Sequence, residues 1–296
     1  MFHGIDHIVI VVSELESAIA SFSSAGFTVI RGGKHPIGTH NALIAFADGS
    51  YLELIAFVKP VPGHPWQIAL DKGGGIIDFC MRTDDLAATV ESLRRAGAKI
   101  ADPSPLTRDR PDGYHLSWVL AIPEAPFNGQ VPFLIKDDTP RDERVPRERS
   151  HRNGATGIRT LAIAVEDPGA SSRYYARVLG RPGGPVHRPE LEATGVSFGI
   201  GPNEIQLLAS KSEHGPLARW IHDRGQSPYE VILASANGDP TLLDPELLQG
   251  ARLRFGRVAK AMASLLDGGS KTMPQKISFG FTIPRMVNEV LPLVNC

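Results

Sequence analysis

Short apolar runs and helical stretches alternate along this chain at a regular beat. Residues 5–12 are dominated by β-branched side chains and read as a buried strand. Ser13-Glu14-Leu15-Glu16 then resembles a helix start with acidic residues in its first turn, and Leu15, Ile19 and Phe22 follow at helical spacing until Gly26. Residues 27–31, 41–46 and 51–57 read as three strands divided by Gly-rich turns. The pattern predicts a βαβββ unit.

The same pattern returns at an offset of 71 residues. Residues 77–83 form a second apolar strand, Asp84-Asp85-Leu86 matches Ser13-Glu14-Leu15, and Leu93-Arg94-Arg95-Ala96-Gly97 matches Phe22-Ser23-Ser24-Ala25-Gly26 without a gap. Strands at 115–121 and 131–136 follow. A third copy starts at Gly157, with a strand at 158–165, a helix opened by Asp167-Pro168 and a closing strand at 204–209. A fourth is partial: a strand at 229–235, a short helix at 245–248 and a strand at 251–255. The expected fold class is α+β, with paired βαβββ modules curling into half-barrel sheets and two such domains in tandem. Residues 1–137 form the first domain (modules 4–60 and 73–137) and residues 157–296 a second, degenerate one. Between them, residues 138–156 mix Arg, acidic residues and Pro without an apolar period and read as an exposed charged linker.

Composition narrows the function classes. An apolar share of 42% supplies a core, and 30 Gly with 24 Pro fit many short strands and turns. Lys and Arg total 31 against 32 acidic residues, so no global field attracts nucleic acid or an anionic membrane. Two cysteines, Cys80 and Cys296, exclude a disulfide framework and fit a reducing, cytoplasmic setting. The opening Met-Phe-His-Gly-Ile-Asp has no basic start, and the first apolar run is far shorter than a membrane span. No Gly-x-Ser-x-Gly elbow, phosphate loop or Cys-x-x-Cys pair occurs, and Gly73-Gly74-Gly75 precedes a strand rather than a helix. A nucleotide cofactor is not expected. The partner class is a small-molecule ligand, and a homodimer is compatible with the sequence.

Alternation assigns faces to the candidate residues. His7, Val9 and Val11 share one face of the first strand; Tyr51, Glu53 and Ile55 share one face of the closing strand, opposite Leu52 and Leu54. With the leucines toward the helix, Glu53 points inward, where a carboxylate is costly unless paired or ligated. His40 and Asn41, in Gly38-Thr39-His40-Asn41, stand at a strand start suited to a general base or carbonyl anchor, or to a plain turn. His115 lies in the matching region of the second unit, three residues before Trp118. His35, followed by Pro36, is expected to be exposed. In the third unit Thr160 and Gln206 stand where the first has His7 and Glu53, and its inward positions are expected to be neutral.

Paired βαβββ units are similar to the vicinal oxygen chelate superfamily, which includes glyoxalase I, extradiol dioxygenases and bleomycin-binding proteins. More narrowly, residues 4–137 resemble the glyoxalase-like domain family through Ile5-Asp6-His7-Ile8-Val9, Gly38-Thr39-His40-Asn41-Ala42-Leu43, Tyr51-Leu52-Glu53-Leu54-Ile55, Arg110-Pro111-Asp112-Gly113, Trp118 and Pro132-Phe133-Leu134-Ile135. The resemblance implies a barrel cavity and four inward positions for a divalent ion, here His7, Glu53, Asp78 and Phe133. Phe133 cannot ligate. One imidazole and two carboxylates form an oxygen-biased set, which disfavours an extradiol dioxygenase.

Two function classes follow. One is an enzyme acting on a small, partly apolar carbonyl or hydroxy compound, a lyase or isomerase with one divalent ion held by His7, Glu53 and Asp78. His7, Glu53, His40 and His115 are its catalytic candidates, and Asn41, Trp118 and Phe133 its substrate contacts. The other is a binding or sequestering protein without turnover, favoured by the aromatic ring at Phe133. A metal-free acid–base site built on Glu53 and His7 remains open within the first class.

Overall fold

Strand β1 (Phe2–Val11) feeds helix α1 (Leu15–Ser24), which buries Leu15, Ala18 and Phe22 along one stripe. The helix stops where Ala25 bonds back to Ser21 O and Gly26 takes a φ of +89°, a left-handed turn that costs glycine no Cβ clash. Strands β2 (Ile30–Lys34), β3 (Thr39–Ala45) and β4 (Tyr51–Phe57) complete the first module. Helix α2 (Pro65–Asp71), capped by His64, leads into β5 (Gly75–Thr83). Asp85 caps α3 (Leu86–Arg95) by accepting from Ala88 N at 2.9 Å, and β6 (Ser104–Asp109), β7 (His115–Ala121) and β8 (Phe133–Asp137) follow.

Next come α4 (Arg141–Arg144), β9 (Ala155–Ala164), α5 (Pro168–Leu179), β10 (Gly184–Arg188), β11 (Ala193–Ile200), β12 (Asn203–Ser210), α6 (Pro216–Arg224), β13 (Ser227–Ser235) and β14 (Leu253–Gly256). The computed structural model describes residues 2–124, 129–236 and 241–256. The remainder of the expected second domain, residues 257–296 with Cys296, lies outside the described residues. Among the described residues no helix is long and apolar enough to cross a membrane.

The first two modules close into one eight-stranded barrel, in the order β1-β4-β3-β2-β6-β7-β8-β5. Within each module the first strand pairs parallel with the last, Val9 against Glu53 and Cys80 against Phe133. The modules join through antiparallel β1 and β5, with His7 opposite Cys80, and through the single pair Lys34 and Asp109. A six-stranded sheet, β10-β11-β12-β9-β13-β14, repeats the plan. There β9 pairs parallel with β12 and antiparallel with β13, and β14 takes the place beside β13 that β8 takes beside β5.

Alternation divides the core. Ile8, Ile10, Leu52, Leu54 and Phe79 face the helices, whereas Val9, Ile55, Cys80, Trp118 and Phe133 face the barrel interior. Each fully buried Leu, Ile or Phe contributes roughly 1.5–3 kcal/mol, so β1 and β4 are buried on both faces.

Three expectations are corrected. Residues 245–248 form a turn rather than a helix, with Gly250 N bonded to Pro245 O. The inner positions of the second sheet are not neutral: Glu230, fully buried, accepts from Arg188 at 2.5 Å, and Arg188 also reaches Gln206 Oε1 at 3.0 Å. Residues 138–156 are only partly exposed. His151 accepts from Thr28 N at 3.0 Å and meets Ala45 O at 2.9 Å, Asn153 donates to Ala25 O, and Val145 and Arg144 are buried. The segment is a clasp on the barrel, held by Arg141 and Arg144 on Asp6, by His151 on Thr28 and Ala45, and by Asn153 on Ala25.

Candidate active site

The barrel interior holds a small cavity of about 50 Å³. Its wall is apolar, with Trp66, Trp118, Phe133, Leu106 and Ile37 prominent, and its polar groups are His7, Glu53, His35, Thr39, Arg108 and the paired Arg144 with Tyr51. Glu53 projects inward because it occupies the same face of β4 as Tyr51 and Ile55; Leu52 and Leu54 between them pack toward the helices.

His7 is fixed from both sides. Its Nδ1 lies 2.8 Å from Asp6 Oδ1 and its Nε2 lies 3.4 Å from Glu53 Oε2. The ring stacks on Tyr51 at 4.6 Å between centroids and meets the edge of Phe133 at 5.3 Å. Asp6 is fully buried and ionised, an acceptor only, so His7 Nδ1 donates to it and Nε2 faces Glu53. Burial alone would raise the Asp6 pKa, but Arg144, His7 and Arg141 hold it well below the usual range. Arg144 Nη1 bonds Asp6 Oδ1 at 3.2 Å and Tyr51 Oη at 2.6 Å, while its Nη2 reaches Asp137 Oδ2 at 3.0 Å. Arg141 adds a bond to Asp6 and one to Gly49 O.

Glu53 accepts from Asn41 Nδ2 at 2.5 Å. Burial pushes its pKa up, but His7, His35, the Asn41 bond and Arg108 together outweigh burial and hold it below the usual carboxylate range. It is a carboxylate at neutral pH. His35 behaves oppositely: burial pulls its pKa down to about 4, leaving a neutral ring. Its Nδ1 sits 2.9 Å from Thr39 Oγ1 and its ring stands at 90° to Trp118.

The candidate residues are thus only partly brought together. His7, Glu53, Trp118 and Phe133 line the cavity. Asn41 is buried behind Glu53 and orients it. His40 is absent from the lining: it alternates with Thr39 and Asn41 on β3 and faces the other way, where its charge acts on Glu16 of α1. His115 points outward, 62% exposed, paired with Asp109 at 2.7 Å, because Trp118 and Leu120 take the inward face of β7. Neither is a catalytic candidate in this geometry. His35, expected to be exposed, is buried on the cavity rim because its backbone N bonds Thr39 O at 2.8 Å and turns the ring inward.

Asp78 does not join His7 and Glu53. It borders a second cavity, with Trp66 standing between the two, and it accepts from Phe79 N at 2.8 Å and from Trp66. Burial raises its pKa to about 7. A metal set of His7, Glu53 and Asp78 is therefore not assembled. Among the described residues the one trio of His, Cys, Asp or Glu donors within 4.8 Å is Asp6, His7 and Cys80. That trio does not fit a divalent ion: Asp6 is already held by two guanidiniums, and burial pushes the Cys80 thiol well up, so it stays protonated.

Several site residues escaped sequence reasoning. Asp6 carried a signal, an acid inside an otherwise apolar strand. Arg108 carried a fainter one, two residues from Leu106, so both fall on one face of β6. Arg144 carried none, since its partners are remote in sequence, and Trp66 sits on a helix too short to show a period.

The profile of the glyoxalase-like domain family matches residues 5–179, more than half of the chain, from β1 through α5. Solved structures share the fold. A hypothetical protein from Staphylococcus aureus aligns with a TM-score of 0.63 over 86% of this chain and 98% of its own, at 17% identity. A variant of 4-hydroxymandelate synthase from Streptomyces coelicolor aligns with a TM-score of 0.55 over 78% of this chain and 71% of its own, at 14% identity. At these identities the likeness concerns the fold alone. No curated protein matches the sequence.

Proposed function

This chain belongs to the glyoxalase-like domain family, and on that premise we propose that its barrel cavity moves a proton on a small, partly apolar carbonyl or hydroxy compound without a metal. The observation that carries this reading is the ionised, buried Glu53 placed 3.4 Å from His7 Nε2 at the edge of an apolar cavity.

In this mechanism the Glu53 carboxylate takes a proton from the carbon next to the substrate carbonyl. The C–H bonding pair moves into the carbon–carbon bond, the carbonyl π pair moves to oxygen, and an enolate results while Glu53 becomes a carboxylic acid. His7 faces the Glu53 carboxyl through Nε2 at 3.4 Å, and Asp6 beside Nδ1 holds the ring in place. Return of the proton to the same carbon closes an exchange with no redox change; in an α-hydroxy carbonyl, a proton shift between the two enediol oxygens followed by return to the neighbouring carbon moves the carbonyl and closes an isomerisation. Asn41 keeps Glu53 aimed, and the apolar wall keeps water away from the enolate.

A binder without turnover is the competing reading, favoured by Phe133, whose ring fills a wall position beside His7. Incubating the protein with a panel of small aryl and alkyl ketones in D2O, followed by proton NMR, separates the two. Loss of the α-proton signal for at least one ketone, abolished in Glu53→Gln, supports proton transfer. Equal rates for wild type and Glu53→Gln across the panel contradict it.

A further inference from the structure

We infer that Arg108 is the anchor for an anionic group, so that the ligand is a small carboxylate bearing an aromatic or bulky apolar tail. This rests on the cavity being the ligand site, and it adds the substrate class.

Arg108 projects from β6 into the cavity and is only 3% exposed. Its Nε has no hydrogen-bond partner, its Nη2 donates to Arg144 O at 3.1 Å, and it makes no ion pair among the described residues. Arg144, the other buried guanidinium of the lining, has Asp6, Asp137 and Tyr51 around it. Isolating one buried cation while its neighbour is fully paired is expensive. Glu53 attracts Arg108 from across the cavity, while Arg144 and Arg110 repel it. None of these groups accepts a hydrogen bond from its Nε, and a ligand anion would supply that acceptor.

The planar fork suits a carboxylate, which can accept two parallel N–H bonds. The guanidinium lies 6.0 Å from the Trp118 ring, and Trp66 and Phe133 continue the apolar wall. A ligand with its carboxylate on Arg108 would lay its apolar tail along these rings. The carboxylate would also keep its distance from Glu53, leaving a different part of the ligand at the base.

Phenylacetate and its neutral isostere phenylacetamide test this by isothermal titration calorimetry on the full chain. We expect phenylacetate to bind at least about tenfold more tightly than the amide, the size of one charge-assisted pair. In Arg108→Gln that preference should vanish with amide affinity retained, and Arg108→Lys should restore part of it. Thermal stabilisation of the wild type by phenylacetate but not by phenylacetamide gives the same comparison without a variant. Equal affinity for both compounds, binding of neither, or a preference surviving in Arg108→Gln overturns the inference. Ketone exchange without carboxylate preference defeats the anchor alone; carboxylate preference without exchange defeats the proton-transfer reading alone.

Discussion

Asp6 and Arg144 are separated by 138 positions in the sequence, yet Arg144 Nη1 lies 3.2 Å from Asp6 Oδ1 with both side chains buried. The contact ties the clasp segment to the first barrel strand, and through Asp6 it orients the His7 ring. Structure and site thus share one ion pair.

Removing that pair leaves a carboxylate uncompensated. Arg144→Met should destabilise the protein by roughly 3 kcal/mol, the low end for breaking a buried pair, because Arg141 still reaches Asp6. Arg144→Lys should recover little, since a lysine cannot bond Asp6, Asp137 and Tyr51 together. Urea denaturation at neutral pH measures both. A loss below about 0.5 kcal/mol for Arg144→Met, the size of an ordinary surface change, would contradict this view of the clasp.

Asp78 should make the protein less stable as pH rises from about 4 to about 7. Its pKa is raised to about 7 in the fold, against about 3.9 in an unfolded chain. The unfolded state releases the proton first, so the contribution is complete below about pH 4 and is lost as pH approaches 7. The full swing is of order 4 kcal/mol. Asp78→Asn keeps the acceptor for Phe79 N and should melt higher than wild type at pH 8, with the difference shrinking toward pH 4. A variant that melts lower at pH 8 would show that the carboxylate is needed.

His35 works on the acid side. Its folded pKa of about 4 lies below the ordinary 6.5, so between these values the unfolded state binds the extra proton and stability falls as pH falls. The loss should approach about 3 kcal/mol by pH 4. His35→Gln should flatten this part of the stability–pH curve without changing its course above pH 7. An unchanged slope between pH 4 and 6.5 would assign the acid sensitivity to other groups.

A methyl group at Gly32 should disturb the base from behind. A Cβ there would fall 2.1 Å from Asn41 Oδ1 and 2.8 Å from its Cγ, and Asn41 is buried with nowhere to retreat. Gly32→Ala should cost about 1–3 kcal/mol and raise the Glu53 pKa by displacing its Asn41 donor. Carbon-detected NMR of the Glu53 carboxyl checks the second effect, and an unshifted titration would remove Asn41 from its role.

Sequence pattern exposed the repeated βαβββ modules, because β-strand alternation and the 71-residue offset are local signals that survive without tertiary context, and the family resemblance supplied their closure into a barrel. The inward direction of His7 and Glu53 followed from the same alternation. His40 and His115 were misjudged as site residues since being near a motif does not say which face a side chain takes, and on β3 and β7 the neighbouring residues hold the inner face. Asp78 occupied the expected position, but Trp66, from a helix of seven residues with no readable period, came between it and His7. Arg144 and the clasp were illegible because an interleaved run of Arg and acids looks the same whether its partners are water or a buried aspartate 138 positions away.

Solvent deuterium exchange into a ketone substrate, measured for chelator-stripped wild type and for Glu53→Gln, tests most directly whether Glu53 moves a proton without a metal. Stripped wild type should keep its full rate while Glu53→Gln loses about 100-fold or more, the contribution of a positioned base. Loss of exchange on stripping, with recovery on adding a divalent ion, would contradict metal-free transfer.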